Sequence, residues 1–183
     1  RAVGEMGDAQ VERDVVTCSS LASACGKGGR WALALQVVGH ARAGSVRANS
    51  VTLGALVHAC NGADRWRLSV ASVAQAAQSG LMADTVVVNL AMNALAFGRQ
   101  WAQALLLFNE VAQSDVPRAA SYAAALLACS KGRQWPEALA LLHEMQFAGL
   151  RLNVMVYTTS IDACAAASRW DWTLRLLWDM QRE

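Results

Sequence analysis

A tryptophan recurs at a nearly constant interval, at Trp31, Trp66, Trp101, Trp135 and Trp170, spaced 35, 35, 34 and 35 residues apart. An alanine keeps the same beat at Ala24, Ala59, Ala94, Ala128 and Ala163, each followed by cysteine or leucine: Cys25, Cys60, Leu95, Cys129 and Cys164. A period of this length marks an array of small helical units, each too small to bury its own apolar face and each completed by its neighbour. Such an array is a solenoid, which offers a long concave surface in place of one deep pocket.

The 183 residues accommodate five such units. At 55% hydrophobic and 16% charged, the chain is apolar, as stacked helices with two covered faces require. No apolar run approaches the roughly 18 residues of a membrane span. The formal charge is only +2, so net charge argues weakly for nucleic acid. The basic set is nonetheless lopsided, with 14 Arg and 2 Lys, and arginine suits stacking and phosphate contact. Four of the 5 cysteines fall at one equivalent position in successive units, with no CxxC pair. They read as small buried core residues rather than metal ligands or disulfide partners, and free thiols in number suit a reducing compartment.

Aligned on the tryptophans, the chain divides into one continuous solenoid domain. Residues 1–14 read as the end of a preceding unit, followed by units at 15–49, 50–84, 85–118 and 119–153 and a partial unit at 154–183. Each unit reads as two helices. In the fourth, Ser121 to Cys129 contains strong helix formers and no breaker, Lys131-Gly132-Arg133 ends the helix, and Pro136 stands just inside the next one. Glu137 adds a first-turn charge, and Gly149 stops the second helix. The tryptophan therefore opens every second helix. Its place at a helix junction beside glycines and small residues favours packing over stacking on a base. The alanine lets helices approach closely. Because both ends cut through units, Trp172, Leu177 and Trp178 are expected as exposed apolar surface.

Catalysis finds no support in the motifs. His40, His58 and His143 fall at three different registers, outside any HxE or HExxH pattern. Gly26-Lys27-Gly28-Gly29 lacks the order of a phosphate loop, and no deaminase signature is present. No enzyme activity, metal, cofactor or small-molecule substrate is expected.

Two helical families share this period. After Trp31 come Ala-Leu-Ala-Leu-Gln-Val-Val, without the Leu-Gly pair and tyrosine of the tetratricopeptide repeat. The chain instead resembles the pentatricopeptide repeat family over essentially its whole length, best at Val154 to Cys164 and Glu137 to Met145, with Glu5-Met6 matching a second-helix ending. The resemblance implies an all-α fold, a right-handed α-solenoid superhelix of tandem helix-turn-helix repeats. It also implies single-stranded RNA binding at about one base per repeat, in a chloroplast or mitochondrion, within an RNA processing, editing, stability or translation factor.

The family's base-reading positions, the fifth and last of each repeat, correspond to Ser19 with Asn49, Gly54 with Asp84, Asn89 with Arg118, Ala123 with Asn153, and Thr158 alone; Asp14 closes the preceding unit. Only Ser19 with Asn49 matches a readable pair, of the adenine-preferring kind. Apolar residues that sandwich bases correspond to Val16, Val51, Val86, Ala120 and Met155, for which ordinary packing between repeats is the equal alternative. Phosphate contact corresponds to Lys27 and Lys131, with Arg30, Arg65, Arg99, Arg133 and Arg169 clustered at the same turn; a solvated turn that offsets the helix C-terminus is the alternative. The competing function on the same fold is a scaffold for protein partners. A structural spacer is the third.

Overall fold

The computed structural model of the chain describes residues 15–43, 50–78, 85–114 and 117–182. The described residues form ten α-helices and no strand. They come in pairs: α1 (Val15–Lys27) with α2 (Trp31–Ala43), α3 (Ser50–Gly62) with α4 (Trp66–Gln78), α5 (Thr85–Phe97) with α6 (Trp101–Ser114), α7 (Ala119–Gly132) with α8 (Trp135–Phe147), and α9 (Val154–Ala166) with α10 (Trp170–Arg182). The fold is an all-α helical-repeat solenoid. Every second helix begins on its tryptophan, as the spacing predicts. No described helix is long and apolar enough to cross a membrane.

The helices group into two compact units, residues 1–78 and 79–183. In the first, α1 packs on α2 and on α3, and α3 packs on α2 and α4. Its core joins Ala22, Ala34, Val38, Leu56, Ala59 and Cys60, with Trp31, Leu35, Cys25 and Ala55 packed against it. In the second, α7 sits between α5 and α9, and α6, α8 and α10 pack alongside. First helices are held by a row of apolar and small residues at helical spacing. In α9 the row is Val156, Tyr157, Ser160, Ala163 and Cys164; in α3 it includes Leu53, Leu56, Val57, Ala59 and Cys60. The small residue matters where helices touch: a Cβ on Gly26 would lie 3.1 Å from the Cβ of Ala59.

The two helices of a pair are joined by one repeated turn. The residue before the tryptophan donates its N–H to the carbonyl at the cysteine or leucine position: Arg30 to Cys25 (2.8 Å), Arg65 to Cys60 (2.8 Å), Gln100 to Leu95 (2.9 Å), Gln134 to Cys129 (2.9 Å) and Arg169 to Cys164 (2.9 Å). The residue preceding each donor is left-handed: Gly29 (φ 68), Asp64 (58), Arg99 (56), Arg133 (59) and Ser168 (59). This is the helix-ending motif in which a 6→1 bond satisfies an orphan carbonyl. The same donor residues then offer their own carbonyls to the next helix, as Arg30 does to the N–H groups of Leu33 and Ala34. One residue thus closes one helix and opens the next.

The four thiols given structural form are free. Cys60, Cys129 and Cys164 are buried. Burial raises the thiol pKa of all three, and that of Cys129 is pushed up to about 12, with the Glu137 charge adding to the effect. Neutral, inert core thiols are the result.

Candidate nucleic-acid interface

The tryptophans are half-buried at Trp31, Trp66, Trp101 and Trp135. They pack as the sequence implies, but the partner is not confined to their own pair. A Cβ on Gly132 would come within 2.6–2.8 Å of Trp101 side-chain atoms, so the turn of the fourth pair is pressed onto the tryptophan of the third. Arg65 stacks over Trp31 with its guanidinium carbon 5.3 Å from the ring centroid, and Arg169 over Trp135 at 4.3 Å. Trp135 also meets Trp172 at 6.5 Å. Trp172, expected as exposed surface, is therefore half-buried; Leu177 and Trp178 are exposed as expected, and Trp170 and Leu174 join them.

Apolar side chains at the second position of four first helices point outward. Val51, Val86, Ala120 and Met155 are exposed, Met155 at 67%. Their neighbours one residue on, Thr52, Val87, Ser121 and Val156, are all buried. The second-position residues are thus not core residues between stacked helices. The side chain of Val16 lies outside the described residues.

Of the proposed base readers, Gly54, Asn89 and Ala123 are half-buried and Thr158 is exposed. The Asn89 Oδ1 is buried without a hydrogen-bond partner, as are the Ser121 Oγ and Glu137 Oε2. The Thr158 hydroxyl donates to the Met155 carbonyl at 3.0 Å. At Arg118 and Asn153 the last residue of a repeat is the N-cap of the next first helix. Asn153 accepts the Val156 N–H on its Oδ1 at 2.9 Å, which leaves its amide NH₂ for a ligand. Arg118 holds the same place in front of α7, makes no side-chain cap, and is exposed. Capping is the signal that sequence reasoning missed: Asn and Asp are the residue types a cap selects. Asn49, Asp84 and Asp14 lie outside the described residues, as do the side chain of Ser19 and the segment 1–14.

The basic residues Lys27, Arg30, Arg65, Arg99, Lys131 and Arg133 are exposed, and Arg169 is half-buried. They do not share one position. Arg30, Arg65 and Arg169 stand directly before the tryptophan, whereas Arg99 and Arg133 occupy the left-handed position one residue earlier. Lys131 rests over the Phe97 ring at 5.5 Å. Arg169 is paired with Asp171 (3.0 Å), which raises the guanidinium pKa and, through the same hydrogen bond, lowers that of the carboxyl. Among the described residues, no group of three His, Cys, Asp or Glu side chains could hold a metal ion.

Helix pairs joined by one repeated turn, with the turns of the second, fourth and fifth pairs set against the tryptophan of the pair before, define a helical-repeat protein. The family model described as PPR repeat matches residues 16–44 and 120–150. The pentatricopeptide repeat protein PPR10 from maize is similar in structure, with a TM-score of 0.63 and 25% identity, covering 98% of this chain and 26% of that one. The same protein in complex with an 18-nt psaJ RNA element gives a TM-score of 0.54 at 17% identity, over 98% and 31%. Arabidopsis thaliana nuclear protein-only RNase P 2 gives 0.60 at 18%, over 91% and 38%. The chain thus spans between about a quarter and two fifths of these proteins' lengths. No curated protein sequence matches it. Two of the chain's repeats, at residues 16–44 and 120–150, thus match the PPR repeat, within an all-α helical-repeat fold similar to that of PPR10.

Proposed function

We propose that the chain is a single-stranded RNA-binding module that takes about one base per repeat, with repeats at 15–49, 50–84, 85–118, 119–153 and 154–183. The observation that carries this reading is the exposure of Val51, Val86, Ala120 and Met155, each at the second position of its own first helix. Apolar side chains held in water beside buried neighbours gain most from a flat apolar partner, and an unstacked base is one. Asn89, Asn153 and Thr158 lie on or directly before the same first helices and supply amide and hydroxyl groups for base edges. The maize PPR10 complex with RNA supports the assignment by family. Recognition is the task assigned to these repeats, with no catalysis. By the same resemblance, the parent protein serves RNA processing, editing, stability or translation in a chloroplast or mitochondrion, which imaging of the tagged full-length protein tests.

Binding to a random pool of 20-nt single-stranded RNA at two salt concentrations tests the central reading. Salt-sensitive binding is expected. Replacing Val51, Val86 and Met155 together by Ser should weaken it roughly ten-fold or more, since each loses about 0.8 kcal/mol per methylene buried against a base. The helical CD spectrum should be unchanged. Selected sequences would show whether Ser19 with Asn49 reads adenine. No binding at low salt overturns the reading in favour of a scaffold for protein partners.

A further inference from the structure

Each of the five turns carries one arginine in the two residues before the tryptophan: Gly29-Arg30, Asp64-Arg65, Arg99-Gln100, Arg133-Gln134 and Ser168-Arg169. The two positions differ in what they can reach. At the second, the residue is both the end of one helix and the start of the next, and in two of the turns an arginine there lies against the preceding pair. Arg65 there covers Trp31, and Arg169 covers Trp135. At the first, the backbone is left-handed, a conformation that glycine adopts without penalty and a long side chain does not. Arg99 and Arg133 accept that strain. Neither guanidinium has a hydrogen bond, ion pair or ring contact among the described residues.

Charge divides the last four turns in the same way, while the Gly26-Lys27-Gly28-Gly29-Arg30 turn has its arginine at the second position and no acidic residue. The Asp64-Arg65 turn contains its own counter-charge, and Arg169 is ion-paired to Asp171. The turns at Phe97-Gly98-Arg99-Gln100 and Lys131-Gly132-Arg133-Gln134 contain no acidic residue. These two are adjacent in space, because Lys131 of one rests on Phe97 of the other.

We propose that the turn arginines have two separate tasks set by their position: Arg65 and Arg169 clamp one repeat onto the tryptophan of the repeat before it, while Arg99 and Arg133, with Lys131 between them, bind consecutive backbone phosphates of a single-stranded nucleic acid. The phosphate half rests on the RNA-binding reading above; the clamp half does not. The N–H edge of Arg169, the part that would meet a phosphate, is taken by Asp171, and Arg65 is held on Trp31 in a turn that carries Asp64. Arg133 and Lys131 flank Gly132, which cannot carry a side chain because Trp101 fills the space. The two cations are thereby fixed on either side of a rigid contact.

The test compares two double variants of the whole chain, Arg99→Gln/Arg133→Gln and Arg65→Gln/Arg169→Gln. Two quantities are read: the slope of log affinity against log salt for a fluorescent 20-nt single-stranded RNA pool, and the thermal midpoint without RNA. Loss of two phosphate contacts should flatten the slope by about 1.4, since each contact contributes about 0.7 on a single strand. That change should appear in the first variant with its melting unchanged. The second variant should keep the wild-type slope and melt lower, with changed tryptophan emission. Equal slope changes in both variants, or a slope change confined to the second, would overturn the division. A wild-type chain that shows no salt-dependent binding refutes the RNA reading and the phosphate half with it. In that case an unchanged melting point in the second variant refutes the clamp half independently.

Discussion

Helices α8 and α10 are the same element one repeat apart, and they fare differently. In α8, Ala138, Leu139, Leu141, Leu142 and Met145 are buried. In α10, only Leu176 is. Leu142 is 3% exposed and its equivalent Leu177 is 40% exposed; Trp135 is half-buried and Trp170 is 73% exposed. The local sequences are comparable, and so are the turns that precede them. What differs is the neighbour: α9 and the Arg169 turn lie over α8. Burial of α8 is completed by the repeat laid over it, as expected of a fold stabilised through nearest-neighbour interfaces.

Truncating the covered and uncovered equivalents is the sharpest way to break this comparison. Leu142→Ala should cost about 2–5 kcal/mol of stability through the cavity it leaves, measured by urea unfolding. A loss below about 1 kcal/mol would show that the face over α8 is not a true core. The repeat-to-repeat contact can also be overfilled. Gly132→Val would drive a side chain into Trp101 and should cost about 1–3 kcal/mol. Gly62→Ala, whose Cβ would meet nothing within 4 Å, should be neutral or slightly stabilising. Thermal melting of the pair checks the contrast.

A smaller effect follows from the buried thiols. In the folded chain the Cys129 pKa is raised from 9.0 to about 12. The folded state therefore holds its proton where the unfolded state has begun to lose it. The contribution is fully present below pH 9 and is lost as pH rises from 9 toward 12, by at most about 1.4 kcal/mol per pH unit. Unfolding between pH 8 and 10 should show a flatter decline in Cys129→Ala than in wild type. The smallest effect is expected at the uncovered face: Leu177→Ala should change stability by less than about 0.5 kcal/mol.

The repeat was legible because it is written in spacing. The tryptophan beat located the start of every second helix, and the glycines before it located the turns at Gly26-Lys27-Gly28-Gly29 and Lys131-Gly132-Arg133. The alanine beat marked close helix approach, seen where Ala59 meets Gly26. The cysteine beat was read as core, which is right for Cys60, Cys129 and Cys164. Their backbone role, as carbonyl acceptors for the residue before the next tryptophan, has no side-chain signature. Two features escaped for physical reasons. The tryptophan's partners lie in a turn a whole repeat away, beyond any local pattern. The arginines were grouped as one cluster although Arg99 and Arg133 precede their tryptophans by two residues and Arg65 by one. A one-residue offset decides the direction of a side chain, and counting back from the tryptophan would have revealed it. The capping role of Asn153 was legible from its residue type and its place before Val154, where the base-reading assignment drew attention instead.

The joint between paired helices has no spare residue, since Arg30, Arg65, Gln100, Gln134 and Arg169 each serve both sides of it. Such a joint can be edited by substitution but not by insertion: one added residue would rotate the second helix by about 100° and turn its tryptophan away from the next repeat. Changes of length must fall between pairs. The shortened interval fits this, because Trp101 to Trp135 spans 34 residues while the spacing from Arg133 to its tryptophan matches that of Arg99. Each helix pair is accordingly an elbow of fixed length, whose angle is set by the turn itself and not by what lies between pairs.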